Sequence, residues 1–131
     1  MTVHPNGLPK IGARMFDGTI YAGISPETGG PMYVLPSDAP KRLTFHEAND
    51  YAAGLNTCGY ADWKIPTKME LNILFNNRAA IGGFRTDRYL ASTKHDGTWQ
   101  RFVDGQIFGN GQPSGLTDDE PAFVRAIRRG L

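Results

Sequence analysis

The chain has 131 residues, of which 40% are hydrophobic, and its formal net charge is +1. The length fits one ordinary domain with a single core, and the apolar content excludes a disordered chain. The balanced charge points to no particular partner, whereas 16 glycines and nine prolines favour short strands and irregular loops over a helical bundle.

Cys58 is the only cysteine, so the sequence excludes an intramolecular disulfide. It also has too few thiolates for a structural zinc site or an iron–sulfur cluster. The first ten residues lack the basic start and the apolar stretch of a signal peptide, and no later run reaches the length of a membrane span. We therefore expect no membrane insertion, and a location in the cytoplasm, in a larger particle or outside the cell by leaderless export.

Residues 1–14 are polar and contain prolines, so we expect a loosely held N-terminal arm or an oligomer contact before a single domain at residues 15–131. Within the domain, two apolar stretches at 18–24 and 32–35 flank a turn-rich segment at 25–31. Because proline ends strands and glycine permits the reversal, these stretches predict a hairpin or two edge strands.

Two segments of the sequence carry the same signal for the start of a helix. Thr44 is followed three residues later by Glu47, as in a capping box, and apolar residues then repeat at helical spacing. This pattern predicts a helix at about 45–55. The signal recurs at Thr67 with Glu70, so a second helix should start directly after that threonine.

After residue 83 the sequence changes to short runs rich in aromatic and β-branched residues, which predict antiparallel strands. Asp104-Gly105 is a signal for a two-residue hairpin turn, because both residues tolerate the positive φ of a type I′ turn. The irregular stretch at 109–120 is expected to be functional or mobile. The element order of a strand pair, two helices and further strands indicates an α+β domain. The predicted strands lie at 89–93, 98–103, 106–108 and 121–127.

The sequence Gly-Tyr-Ala-Asp-Trp-Lys-Ile-Pro-Thr-Lys-Met-Glu-Leu at 59–71 resembles a motif of a bacterial domain family. The family is typified by the C-terminal domain of the Legionella collagen-like adhesin, and its motif is Gly-Tyr-x-Asp-Trp-Arg-Leu-Pro-Thr-x-x-Glu-Leu. The run at 89–93 is similar to the family's Tyr-Trp-Ser-Ser-Thr strand, and the run at 124–128 is similar to its closing Val-Arg-Cys-Val-Arg. Together the matches cover the chain from about residue 17 to residue 129.

The resemblance implies a C-type-lectin-like fold, related to the folds of formylglycine-generating enzymes and of retroelement variable proteins. In this fold two helices flank a small twisted antiparallel sheet, with long loops on one side. A homo-oligomer is compatible with this family, a trimer included. The chain departs from the family at Leu90, where Trp is usual, and at Ala126, where Cys is common, so Cys58 lacks the partner that a disulfide would need.

Asp62 and Trp63 allow two interpretations. An acid beside an indole is a familiar sugar-binding arrangement, but we favour a structural role in which Trp63 lies in the core. In that role Asp62 binds backbone N–H groups in the loop before the second helix. The residues of the motif that we assign to the fold itself are Asp62, Trp63, Pro66, Thr67 and Glu70.

Two charged segments are candidate binding sites. The acidic run at 117–120 has the oxygen ligands that Ca²⁺ uses, but the Glu-Pro-Asn and Trp-Asn-Asp motifs of true lectins and the spacing of an EF-hand are absent, so a solvated turn is favoured. Arg125, Arg128 and Arg129 are candidates for binding a polyanion such as a sulfated glycan. Strand alternation divides them between two faces, which predicts a solvated strand face instead.

The sequence predicts no catalytic centre, no cofactor and no metal site. The single Cys58 cannot reproduce the cysteine pair of the related formylglycine-generating enzymes. No Ser/His/Asp arrangement or phosphate-binding loop is recognisable, and no motif of a nucleic-acid-binding module is present. The dispersed histidines, which lack the spacing of a zinc site, are His4, His46 and His95.

We therefore predict a non-enzymatic ligand-recognition or adhesion module that binds a glycan, a polyanion or a protein surface through its loops, and no nucleic acid. Oligomerisation would raise weak contacts into useful avidity. The alternative is a structural or assembly subunit of a phage tail or secretion-related particle, with the N-terminal arm as an attachment segment. The candidate ligand-binding residues are Arg85, Arg88, Lys94, His95, Asp96, Trp99, Asn110, Gln112, Asp118 and Asp119.

Overall fold

The computed structural model describes residues 9–96, 101–117 and 119–130, and these form an α+β domain, as predicted. The described residues contain three α-helices and two three-stranded antiparallel sheets. The sequence predicted two helices and a single sheet, and both numbers are wrong. The elements are β1 Ile20–Ile24, β2 Pro31–Val34, α1 Phe45–Ala53, a 3-10 turn Thr57–Gly59, α2 Lys68–Asn76, α3 Arg78–Ile81, β3 Arg88–Asp96, β4 Arg101–Ile107, β5 Leu116–Thr117 and β6 Ile127–Arg129.

The first sheet has the strand order β1-β2-β6. Its first two strands form the predicted antiparallel hairpin, in which Ile20 lies opposite Val34. β6 pairs with β2, with Tyr33 opposite Arg128, so the last described strand closes the sheet that the first two begin. Both ends of the domain therefore meet in one sheet.

The predicted N-terminal arm, residues 1–14, lies partly outside the described residues. Its final part lies alongside β1 and pairs with it. The Gly12 N–H donates to the Tyr21 carbonyl oxygen at 2.8 Å, and Arg14 forms a bridge with Ile20. These residues therefore extend the first sheet at the edge of β1 and are held by backbone hydrogen bonds.

The second sheet has the order β3-β4-β5. The hairpin turn predicted at Asp104-Gly105 is wrong. Both residues lie inside β4. A Cβ atom at Gly105 would lie 2.7 Å from Cδ1 of Leu116 and 2.9 Å from two backbone carbonyl oxygens. The glycine is therefore needed for the close approach of neighbouring segments, and not for a positive φ. The chain between β3 and β4 includes residues 97–100, which lie outside the described residues.

Both predicted capping boxes are confirmed. Oγ1 of Thr44 accepts from the N–H of Glu47, and the carboxylate of Glu47 accepts from the N–H of Thr44 at 3.0 Å. Thr67 and Glu70 form the same pair of bonds at α2. α1 ends at Ala53, slightly earlier than predicted, and the short α3 was not predicted. None of the described helices combines the length and the apolar character that a membrane span requires.

The segment 119–126, which we call the connector, joins β5 to β6 and ties the two sheets together. Ala122 exchanges two backbone hydrogen bonds with Leu43. The Phe123 N–H donates to the Arg88 carbonyl oxygen of β3, and the Phe123 carbonyl oxygen accepts from the Leu90 N–H. The sequence predicted a continuous strand at 121–127, but β6 begins only at Ile127. The difference arises because successive connector residues bond to separate segments of the chain and not to one neighbouring strand.

Apolar side chains fill the space between these elements in three clusters. One cluster packs Leu74 of α2 against the first sheet and Tyr89 of β3. Another packs Ala48 of α1 against Leu90 of β3. Because successive side chains of a strand point to opposite sides, β3 contributes to both clusters. The third cluster surrounds Trp63.

We expect Gly105→Ala to lower the free energy of unfolding by about 2 kcal/mol, because the added methyl group has to displace Leu116 and two carbonyl oxygens. Denaturant titration followed by circular dichroism measures this loss. Gly115→Ala is the control, since a Cβ atom there meets no atom within 4 Å. Equal losses in the two variants would contradict the packing role of Gly105.

Candidate functional site

Arg125 is the centre of a buried polar network. Its side chain is 0% exposed, and its Nε donates to Oδ1 of Asp38 at 2.7 Å. Its Nη1 donates to the carbonyl oxygens of Leu35 and Gly82 at 3.1 and 3.2 Å, and its Cζ lies 4.1 Å from the centroid of the Phe84 ring. The sequence predicted a solvated strand face for this arginine. That prediction is wrong, because the connector carries Arg125 into the core before β6 begins.

The hydroxyl group of Tyr89 extends this network towards the surface. It donates to Oδ2 of Asp38 at 2.6 Å and accepts from the backbone N–H of Arg85 at 2.9 Å. Burial raises the pKa of Tyr89, and its hydrogen bond to Asp38 raises that pKa further, so the phenol stays protonated. A chain of hydrogen bonds thus runs from the buried Arg125 to the backbone of Arg85.

The loop at 82–85 lies directly on the buried guanidinium group. Gly83 has a φ of +80°, in the left-handed region that favours glycine. A Cβ atom at this position would lie 3.1 Å from Nη2 of Arg125 and 3.1 Å from the carbonyl oxygen of Pro36. Glycine therefore lets the loop approach the core closely enough to be held by it.

Two exposed guanidinium groups lie on the ring of Phe123. Cζ of Arg85 is 4.8 Å from the ring centroid, and Cζ of Arg42 is 5.7 Å from it. Among the described residues, neither group has a carboxylate within salt-bridge distance. We call Arg42, Arg85 and Phe123 the Phe123 surface. Of the three residues of this surface, two have a backbone held by hydrogen bonds: Phe123 is bonded to β3, and the Arg85 N–H donates to the Tyr89 hydroxyl.

Arg88 lies next to the Phe123 surface, because its carbonyl oxygen accepts from the N–H of Phe123. Its Nη1 is 3.8 Å from Oε2 of Glu120, and both side chains are exposed enough for the pair to be weak. Hydrogen bonds from the backbone and side chain of Thr117 lower the pKa of Glu120. Arg88 is therefore a third cation at this end of the molecule, already in loose contact with one carboxylate.

In the acidic turn at 117–120, the carboxylates of Asp119 and Glu120 accept hydrogen bonds from Thr117 of the same turn. Oγ1 of Thr117 donates to Oδ1 of Asp119 at 2.5 Å, and its N–H donates to Oε1 of Glu120 at 2.9 Å. Asp118 lies outside the described residues. Within the described ranges, no three side chains of His, Cys, Asp or Glu come together as the ligands of a metal ion would.

The structure brings part of the predicted ligand-binding set together. The turn with Asn110 and Gln112 lies beside the loop of Arg85 and Arg88, since the Phe108 N–H donates to the Asp87 carbonyl oxygen at 3.0 Å. Oδ1 of Asn110 accepts from the N–H of Gln112, and both side chains are exposed. The backbones of Lys94, His95 and Asp96 form the end of β3, but their side chains, and all of Trp99, lie outside what the structure describes.

Glu70 of the motif is a buried carboxylate and not a surface group. It is 0% exposed and accepts from Nε and Nη2 of Arg129 at 2.7 and 3.0 Å, from Oγ of Ser25 at 2.5 Å and from the N–H of Thr67. Burial alone would raise the pKa of Glu70, but the hydrogen bonds from Arg129, Ser25 and Thr67 outweigh it and hold that pKa below its ordinary value. Glu70 therefore joins α2 to β6 and to the β1–β2 turn.

The other residues of the motif also have structural partners. Trp63 is buried, and its Nε1 donates to the Thr57 carbonyl oxygen at 3.1 Å. Asp62 was predicted to bind backbone N–H groups of the loop, but its carboxylate binds the guanidinium group of Arg128 at 3.0 and 3.2 Å. Pro66 is buried and its carbonyl oxygen accepts from Ser92, while Thr67 caps α2.

The sequence did not identify Arg42 and Phe123 as functional residues, or Asp38 and Tyr89 as the groups that hold the site. Arg42 stands just before a capping box, and its local sequence predicts only an exposed position. Phe123 lies in a run whose apolar pattern indicates a strand. The only local signal was the placement of Arg85 in a loop between predicted elements.

Comparisons with known proteins add no family to this description. No family model matches the chain, and no curated protein matches it.

We expect Glu70→Gln to lower the free energy of unfolding by about 2 kcal/mol at neutral pH, because a charged hydrogen-bonded partner of Arg129 is lost. The pKa of Glu70 is lower in the folded chain than in the unfolded one, so its contribution is present above its ordinary pKa of 4.5 and is lost as the pH falls through the folded value. The difference between wild type and variant should therefore shrink at acidic pH.

Urea titrations at a series of pH values measure this effect. Glu47→Gln is the matched control, since Glu47 occupies the same place in the other capping box but is exposed. If the two variants lose the same stability at every pH, Glu70 has no role beyond capping.

Proposed function

We propose that the chain is a non-enzymatic recognition or adhesion module with a C-type-lectin-like fold, and that it binds a sulfated glycan or a similar polyanion. The observation that carries this proposal is the Phe123 surface, where Arg42 and Arg85 expose two guanidinium groups beside one ring. A guanidinium group presents its N–H donors as a fork that matches the oxygens of a sulfate group.

The electrostatics of the Phe123 surface favour an anionic ligand. Arg42 and Arg85 have no carboxylate partner among the described residues, so binding an anion there breaks no existing ion pair. The ring of Phe123 holds both groups by cation–π contacts that need no carboxylate. Arg88 adds a third cation, whose loose pair with Glu120 can be exchanged for a ligand at little cost.

The resemblance of 59–71 to the adhesin family supports the lectin-like part of the proposal. Glu70 and Trp63 of that motif are buried: Glu70 joins α2 to β6, and Trp63 binds the Thr57 carbonyl oxygen, as residues that define a fold would. Cys58 packs against the apolar cluster that contains Ala126. These are the two positions that a disulfide of the family would join, so their common cluster is in keeping with the resemblance.

A role in binding, and not in catalysis, suits the chemistry of the site. The guanidinium groups of Arg42 and Arg85 supply positive charge and N–H donors, which suit the binding of anionic oxygens. The groups behind them, Arg125 and Tyr89, are buried, so they position the surface and do not reach a ligand. The arrangement provides charge and shape without a nucleophile.

Isothermal titration calorimetry with a heparin-type hexasaccharide tests the proposal. We expect binding that weakens as salt is added, because exposed charges are screened. Arg42→Gln and Arg85→Gln should each weaken binding by roughly fivefold to tenfold, since each removes a charge-assisted hydrogen bond worth about 1 kcal/mol or more. The same hexasaccharide without sulfate groups should bind far more weakly.

Arg78→Gln is the matched control for these variants. Arg78 is also exposed, and its Cζ lies 4.0 Å from the centroid of another phenylalanine, Phe75. It should leave the affinity unchanged. Absence of binding to the wild-type chain at low salt, or an equal loss in Arg78→Gln, would contradict the proposal.

A structural or assembly subunit of a larger particle is the second candidate function. The observation that favours it is Phe16, which is 101% exposed although it is a large apolar residue. A contact that buried this ring against another subunit would remove its apolar surface from water.

A further inference from the structure

Phe16 protrudes from a turn that hydrogen bonds hold in place. The Met15 N–H donates to the Thr19 carbonyl oxygen at 2.8 Å, and the Gly18 N–H donates to the Met15 carbonyl oxygen at 3.1 Å. Oδ1 of Asp17 accepts from both the N–H and the hydroxyl of Thr19, at 2.9 and 2.7 Å. The backbone is fixed on both sides of the exposed ring, so the turn presents Phe16 to a partner with little entropy left to lose.

A groove of about 290 Å³ lies beside this turn. One wall is Tyr60, whose ring centroid lies 3.6 Å from Cζ of Arg128 and whose pKa is raised by the nearby carboxylate of Asp17. Arg128 is held in turn by its paired hydrogen bonds to Asp62. The lining residues include Met15, Asp17, Pro31, Tyr33, Tyr60 and Arg128.

We propose that this groove receives Phe16 from a second copy of the chain, and that the chain thereby forms a symmetric dimer. Met15 and Asp17 flank Phe16 and also line the groove, so the protruding ring and the groove lie side by side. A two-fold interface uses the same patch of both copies, with residue i against j and j against i. Each Phe16 is then placed in the groove of the other copy.

The charges of the groove suit a second copy as the occupant. Asp17 and Arg128 line the groove with opposite charges, and Asp62 is paired with Arg128, so a second copy turned by a two-fold axis would bring charges of both signs to the same patch. A net charge of +1 causes little repulsion between copies. Tyrosine and arginine, which line this groove, dominate the binding energy of many interfaces. The proposal does not depend on the Phe123 surface, which shares no residue with the groove.

Sedimentation equilibrium of the full chain, from about 10 μM to about 1 mM, tests the dimer. We expect the weight-average mass to rise with concentration from the monomer value of 14.4 kDa towards twice that mass. Phe16→Ser should raise the dissociation constant by at least tenfold, roughly the effect of losing one buried aromatic anchor. Phe16→Trp, which keeps a large apolar ring, should retain association.

Met69→Ser is the matched control, because Met69 is also an exposed apolar residue, at 59%, but lies on α2 and does not line the groove. It should associate like the wild-type chain. Since Phe16 contacts solvent only, circular dichroism should show that Phe16→Ser is folded. A wild-type mass of 14.4 kDa at every concentration would overturn the proposal and leave the groove to a partner of different chemistry. Association that Phe16→Ser leaves unchanged would also overturn it.

Discussion

The buried guanidinium group of Arg125 is the constraint on which the arrangement of the domain depends. Moving a charged group out of water costs several kcal/mol, so the fold has to supply its partners. Asp38 provides the opposite charge at 2.7 Å, and the carbonyl oxygens of Leu35 and Gly82 take a second nitrogen. These partners come from the segments before α1 and after α3, while Arg125 comes from the connector. These hydrogen bonds form only when the three segments meet, so the buried charge selects one way of assembling them.

The two exposed surfaces of the domain are held in different ways. The Phe123 surface depends on the core, because the Tyr89 hydroxyl links Asp38 to the backbone of Arg85. The turn that carries Phe16 depends on hydrogen bonds among its own neighbours. A change in the buried network is therefore expected to disturb anion binding and to leave the dimer contact intact. If both proposals hold, one face would bind a polyanion while the other would hold two copies together, which would double the number of sites for a repeating ligand.

Features of this domain that depend on neighbours in sequence could be predicted, and those that depend on distant residues could not. The capping boxes at Thr44 and Thr67 and the first hairpin each need partners a few residues away, and all three are present. Gly105 carries a local turn signal, but its true requirement is set by Leu116 across the sheet. Arg125 has the local pattern of a solvated strand, but its partners in the core, Asp38 among them, are distant in sequence. Arg85 could be predicted as a site residue because its position in a loop is visible in the local sequence. Arg42 becomes a site residue only through its contact with Phe123, which is distant in sequence.

Hydrogen exchange at the backbone amide of Arg85 tests most directly whether the buried network holds the loop that carries Arg85. We compare the wild-type chain with Tyr89→Phe, which removes the oxygen that accepts from this amide. In the wild type the amide should be protected, and in the variant its protection should fall by about tenfold, the equivalent of roughly 1.4 kcal/mol. The Leu90 amide, which donates to the Phe123 carbonyl oxygen, should stay protected in both proteins. Equal exchange of the Arg85 amide in the two proteins would contradict the claim that the core positions this surface.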